Sequence, residues 1–183
     1  MLGLADRHAA DFGGLSSEFR WQVFEHASSP VALTLSFAPQ WRRIDAPSGQ
    51  GTQNYTLPVE ILADMALIPN KVFAGVNLTY APTFTRGNGA WQQAHPLEIS
   101  AALSAAITEK VFFGGEIRHL AGNQNGFLTG HGLFVGPSLH VKLSETLSFK
   151  VVWSAQIPDE TSGRLDLVNY ERHQVLAQFV MGF

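Results

Sequence analysis

The chain has 183 residues, enough for one domain with a core. Its net charge of −3 and its lack of cysteine exclude a basic nucleic-acid footprint, disulfide staples and thiolate metal sites. Charged residues make up only 15 %, against roughly a quarter in soluble domains, and the absence of any run of about 18 apolar residues excludes a transmembrane helix.

Residues 1–14 are ambiguous. GLADRHAADF reads as the end of a strand or as a short helix, and Gly13 and Gly14 break it. The opening MLGLADRHAADFGG lacks the basic start and long apolar stretch of a signal peptide. The expectation is a processed or truncated start, or a cytosolic chain with its own Met1. From Leu15 a period of two begins, which is the strand signal. Leu15, Phe19, Trp21 and Val23 share one face, and Ser16, Glu18, Arg20 and Gln22 the other. Ser28, Ser29 and Pro30 predict a tight turn. Val31, Leu33, Leu35, Phe37 and Trp41 then alternate with small or polar partners, and DAPSGQGTQ (45–53) is a polar loop.

The next apolar face runs from Tyr55 through Val59, Ile61 and Met65 to Leu67, against Thr56, Glu60 and Asp64. Pro69-Asn70 predicts a turn, and Val72, Ala74, Val76, Leu78 and Tyr80 follow. After RGNGAWQQ, Leu97, Ile99, Leu103 and Ile107 alternate with Glu98, Ser100 and Ser104; the alanines here also permit a helix. Val111–Ile117, Leu133–Val141 and Leu147–Ile157 alternate in the same way, separated by AGNQNGFLTG and by the turn Ser144-Glu145-Thr146. A polar loop, 158–169, leads to the closing strand YERHQVLAQFVMGF, which stops flush on Phe183. Nine strand-like segments emerge, joined alternately by short turns near Ser28, Pro69, Glu109 and Glu145 and by long loops near Ser48, Asn88, Asn123 and Ser162.

This rhythm, the terminal Phe183 after alternating apolar residues, and phrases such as LIPNKVFAGVNLTYAP, VFFGGEIRHL and LFVGPSLHVKLSE resemble the outer-membrane β-barrels of Gram-negative proteobacteria, in particular poorly characterised ones. The resemblance implies an all-β, antiparallel transmembrane β-barrel of about 8–10 strands over residues 15–183, with short periplasmic turns and longer extracellular loops. It implies a bacterial outer-membrane location, contact with membrane lipid, and the barrel-assembly machinery as a partner, with Phe183 important for assembly. A subunit role in a larger membrane assembly is a further expectation. The polar face is rich in Ser, Thr, Gly, Ala, Asn and Gln, as a narrow lumen would be. Trp21, Trp41, Tyr55, Tyr80, Phe84 and Tyr170 fall towards strand ends, where interfacial aromatics sit.

On that reading Arg42, Glu60, Asp64, Glu98, Glu116, Arg118, Lys142 and Lys150 are lumen charges, forming either a porin-like selective constriction or ion pairs that plug the barrel. The expected function is therefore passive, structural or as a narrow solute channel, with no enzymatic activity and no cofactor. The alternatives are an outer-membrane enzyme hydrolysing lipid or peptide at a rim, where Ser162, Asp166 and His173 collect, and a soluble lipocalin-like small-ligand binder. His26, His119, His131 and His173 lie near strand ends and His140 further in, beside Lys142, whose charge disfavours a metal. No metal-binding spacing is present.

Overall fold

The computed structural model describes residues 13–26, 29–44, 51–87, 89–124 and 127–181. Fourteen strands form one sheet. They are β1 (Gly14–Ser16), β2 (Phe19–Phe24), β3 (Val31–Phe37), β4 (Gln40–Ile44), β5 (Gly51–Thr56), β6 (Val59–Ile68) and β7 (Val72–Tyr80). The remainder are β8 (Thr83–Arg86), β9 (Gln92–Ala94), β10 (Leu97–Ala106), β11 (Val111–Gln124), β12 (Phe127–Lys142), β13 (Leu147–Ile157) and β14 (His173–Met181). Every pairing is antiparallel.

Ten of the strands are halves of longer runs. Phe37 lies opposite Val59 and, beyond the interruption, Gln40 lies opposite Thr56, which is the register an unbroken ladder keeps. The same continuity holds between Val59↔Tyr80 and Thr56↔Thr83, and between Leu97↔Tyr80 and Thr83↔Ala94. The cause is proline. Pro39, Pro58, Pro82 and Pro96 lie side by side across neighbouring runs, and none can donate to the ladder. One bond survives at each rung: Ser17 N–H to Pro39 O, Ala38 N–H to Pro58 O, Leu57 N–H to Pro82 O and Ala81 N–H to Pro96 O, each 3.0–3.1 Å. Among the described residues the sheet is thus an up-and-down meander of nine runs, each hydrogen-bonded to the next.

The expected all-β, antiparallel character is present, and the Ala-rich stretch is a strand, β10. Closure is not. The sheet is open: β1 and β2 lie at one edge and β14 at the other, with no pairing between them among the described residues. Among the described residues successive runs alternate in direction, so the first and ninth are parallel, whereas bacterial up-and-down barrels close by an antiparallel pair between an even number of strands. The closed transmembrane barrel is therefore corrected. A lumen, a solute path, a rim enzyme in a membrane, lipid contact, the barrel-assembly machinery, a place in a membrane assembly and an outer-membrane location all rested on closure and lose their support with it. So does the lipocalin-like alternative, whose cavity is the inside of a closed barrel. Among the described residues no helix is long and apolar enough to cross a membrane.

The two faces of the sheet differ. Ala32, Phe112, Phe134 and Val152 are buried, and so are Ser36, Ser100, Ser154 and Gln156. The strand registers put all eight on one face, the one read from sequence as polar. The opposite face carries Trp21, Ile61, Val76, Ile99, Leu103, Phe113, Ile117, Trp153 and Phe179, all exposed. Two glycines let the runs approach closely on the buried side. A Cβ on Gly114 would run into the Leu103 carbonyl and the Ser104 Cα, and one on Gly136 into the Trp153 carbonyl and the Ser154 Cα. The chain between β13 and β14 folds back over this side, with the Tyr170 ring edge-on to Phe134 at 6.1 Å.

Candidate functional site

The polar face holds two charged groups separated along the strands. The upper one centres on Arg118 of β11. Its neighbour on β10 is Ser100 and on β12 Phe134, whose ring lies 5.8 Å from the guanidinium carbon. Arg118 Nε stands 3.1 Å from Glu116 Oε1, and Nη1 stands 3.7 Å from Glu98 Oε1. Arg118 Nη2 donates to Ser154 Oγ at 3.2 Å and to Gln174 Oε1 at 2.5 Å. Those acceptors belong to β13 and β14, two and three runs away, so the sheet is concave on this side. The planar guanidinium, with five donors and a permanent charge, suits such a hub. Burial raises the Glu98 carboxyl above the ordinary carboxylate range; Arg118 opposes the shift, and Glu116 and Glu60 add to it. The cation of this network is already shared between two carboxylates as ion pairs, although Arg118 Nε makes no hydrogen bond of its own.

The lower group is cationic. Strand register puts His140 of β12 directly opposite Lys150 of β13, and Lys142 two residues further along the same face. His140 stacks on Phe112 at 5.6 Å, and Lys142 Nζ sits 5.1 Å from the same ring. Burial, then Lys142, then Lys150 push the His140 pKa below its usual value. Neither lysine forms an ion pair with a described residue. Like charges directly opposite on a sheet repel, so the pairing of His140 with Lys150 disfavours a second positive charge there. Between the two groups the floor is small, being made of Ser104, Gly114 and Ser138. His140, Lys142, Ser148 and Val180 line an open bowl of about 1010 Å³, with Lys110, Glu109 and Glu145 at its turns.

The other residues read from sequence fall apart from these groups. Glu60 pairs across to Ser36 and Thr79, on the row that leads to Glu98. Asp64 is held by His26 at 2.5 Å near a turn. Arg42 lies beyond the prolines, opposite Gly14 and Asn54, with Gln40 as its hydrogen-bond partner at 3.4 Å. Gly14 belongs to β1, the first strand among the described residues. Phe183 lies outside the described residues.

The three rim residues are held by separate partners. Ser162 Oγ accepts from Arg164 N–H, Asp166 is bound by Asn169, and His173 stacks on Trp153. Sequence reading missed the joint role of Ser154, Gln174 and Phe134 around Arg118, since only the curvature of the sheet joins runs that far apart. It also missed the opposition of His140 and Lys150, which depends on register.

The fold and site define an open, single-sheet all-β domain with one charged concave face. The chain belongs to a family of unknown function (DUF6662), whose model matches residues 2–183. No curated protein and no solved structure matches it.

Proposed function

We propose that this protein is a non-catalytic binding domain that takes a small multivalent anion, carboxylate or phosphate, at the cationic end of its concave face. The observation that carries the reading is the opposition of His140 and Lys150, with His140 and Lys142 lining an open bowl and no carboxylate paired to either lysine among the described residues. A bound anion would offset the repulsion that the strand register imposes, and would give the lysines the charge-assisted hydrogen bonds they lack. Arg118 is the less suitable anchor, because two carboxylates already occupy its guanidinium. The non-catalytic part of the reading is supported by the dispersal of Ser162, Asp166 and His173 onto different partners.

Calorimetric titration with citrate and with inorganic phosphate tests this, with acetate and a neutral sugar as controls. Saturable binding of a multivalent anion, weakened at least tenfold by Lys150→Gln and by Lys142→Gln and by raised salt, is the expected result. Absence of saturable binding, or binding indifferent to both substitutions, overturns it.

A further inference from the structure

The two edges of the open sheet are built differently. The β1–β2 edge is guarded in ways that block strand addition. It is interrupted at Ser17 and Glu18, it carries a bulge between Gln22 and Phe24, and it bears the Glu18–Arg20 ion pair. The β14 edge has none of these. Its nine residues, HQVLAQFVM, contain no proline, no bulge against β13 and no Asp, Glu, Lys or Arg. Val175, Leu176, Phe179, Val180 and Met181 are all exposed, so both faces of the strand meet solvent.

The direction of each peptide group follows from the ladder. Gln156 N–H donates to Arg172 O at 2.9 Å, one step beyond the Ala155↔His173 pair. Arg172 therefore points its polar backbone groups at β13. In an antiparallel ladder the residues alternate, so Gln174, Leu176, Gln178 and Val180 also point inward. His173, Val175, Ala177, Phe179 and Met181 point their N–H and C=O groups outward, away from the sheet.

We infer that β14 is a homodimerisation strand, pairing antiparallel with β14 of a second copy about a two-fold axis at Ala177. This register sets Ala177 opposite Ala177, Val175 opposite Phe179 and His173 opposite Met181. Every outward-pointing residue then falls in a hydrogen-bonded pair, about ten ladder bonds in all. A two-fold axis at an edge is isologous, so each copy contributes the same surface. It also keeps faces together. Val175 meets Phe179 on the apolar side, a favourable branched–aromatic cross-strand pair, and Leu176 meets Gln178 on the polar side. No charge on either strand opposes the approach. The guarded β1–β2 edge stops further growth, so the product is a closed pair of copies rather than a fibre. The inference rests on the edge alone and stands or falls independently of anion binding at His140 and Lys150.

Because the chain has no cysteine, single-cysteine variants report the register. Under mild oxidation Ala177→Cys should form an intermolecular disulfide in high yield, and Gln174→Cys should not. In sedimentation velocity at tens of micromolar, wild type should run as a dimer. Ala177→Pro should run as a monomer with an unchanged β circular dichroism spectrum, since its missing N–H is one that β13 does not use. If Ala177→Pro fails to fold, Phe179→Lys supplies the monomer test by placing two cations near the axis. A monomeric wild type, or equal cross-linking from positions 174 and 177, overturns the inference.

Discussion

Arg118 on β11 donates a 2.5 Å hydrogen bond to Gln174 on β14, across the two runs that separate them. Together with Glu98 and Glu116 it ties β10, β11 and β14 into one polar network. Arg118→Met leaves the two carboxylates facing each other without a cation. We expect a loss of about 2–4 kcal/mol in urea unfolding, somewhat below that of a fully buried pair because a third of the Glu98 side chain meets solvent. Adding Glu116→Gln should recover part of it. A loss under about 0.5 kcal/mol would show the network to be a surface ion pair of no consequence.

Glu98 and His140 give stability opposite pH dependences. The Glu98 pKa is raised from 4.5, so the folded state holds this proton after the unfolded chain has lost it. Its contribution is full below about pH 4.5 and is lost as pH rises through the folded pKa. Glu98→Gln should therefore gain stability relative to wild type across that window. The His140 pKa is lowered from 6.5, so the unfolded chain takes the proton first. Its contribution is full above about pH 6.5 and is lost as pH falls through the folded pKa, a decline that His140→Gln should remove. Urea unfolding from pH 4 to 8 reads both slopes.

Val152 is 3 % exposed and Val76 is 52 % exposed, on opposite faces of the sheet. Val152→Ala should cost about 1.5–3 kcal/mol. Val76→Ala should fall within about 0.5 kcal/mol of wild type. Equal costs would mean that the side carrying Val76 is packed as well. Native-state binding of an apolar fluorescent dye is expected at this exposed face.

A methyl group on Gly136 meets the backbone of β13 at once, whereas one on Gly115 finds only the Gly136 carbonyl oxygen at 3.7 Å. Gly136→Ala should destabilise by about 1–3 kcal/mol. Gly115→Ala should be nearly silent. Thermal melts of the two variants side by side provide the comparison.

The period of two was legible almost residue by residue: Val59–Ile68, Leu97–Ala106 and Leu147–Ile157 are strands with the faces their alternation predicts. The turn at Pro69-Asn70 is also where sequence puts it, with Asn70 at a φ of 59°. Alternation, however, is a property of one strand, and it says nothing about whether the first and last strands meet. The count of nine segments was readable, but whether the two outer ones meet depends on the three-dimensional course of the sheet, which no local pattern encodes. The same limit applies to the site. Arg118, Glu98 and Glu116 were picked out as charges on one face, which their parity dictates. That Gln174 and Ser154 complete the network depends on curvature, and that His140 faces Lys150 depends on register between strands joined by a turn.

The prolines at 39, 58, 82 and 96 have a mechanical consequence. Among the described residues, β1, β4, β5, β8 and β9 lie beyond them, none longer than six residues, and along that line each rung keeps a single backbone bond. A sheet perforated in this way tears along the perforation. The corner it delimits is a flap that should lift off under load or mild denaturant while the long strands stay zipped, and its amides should exchange with solvent first, as one cooperative unit.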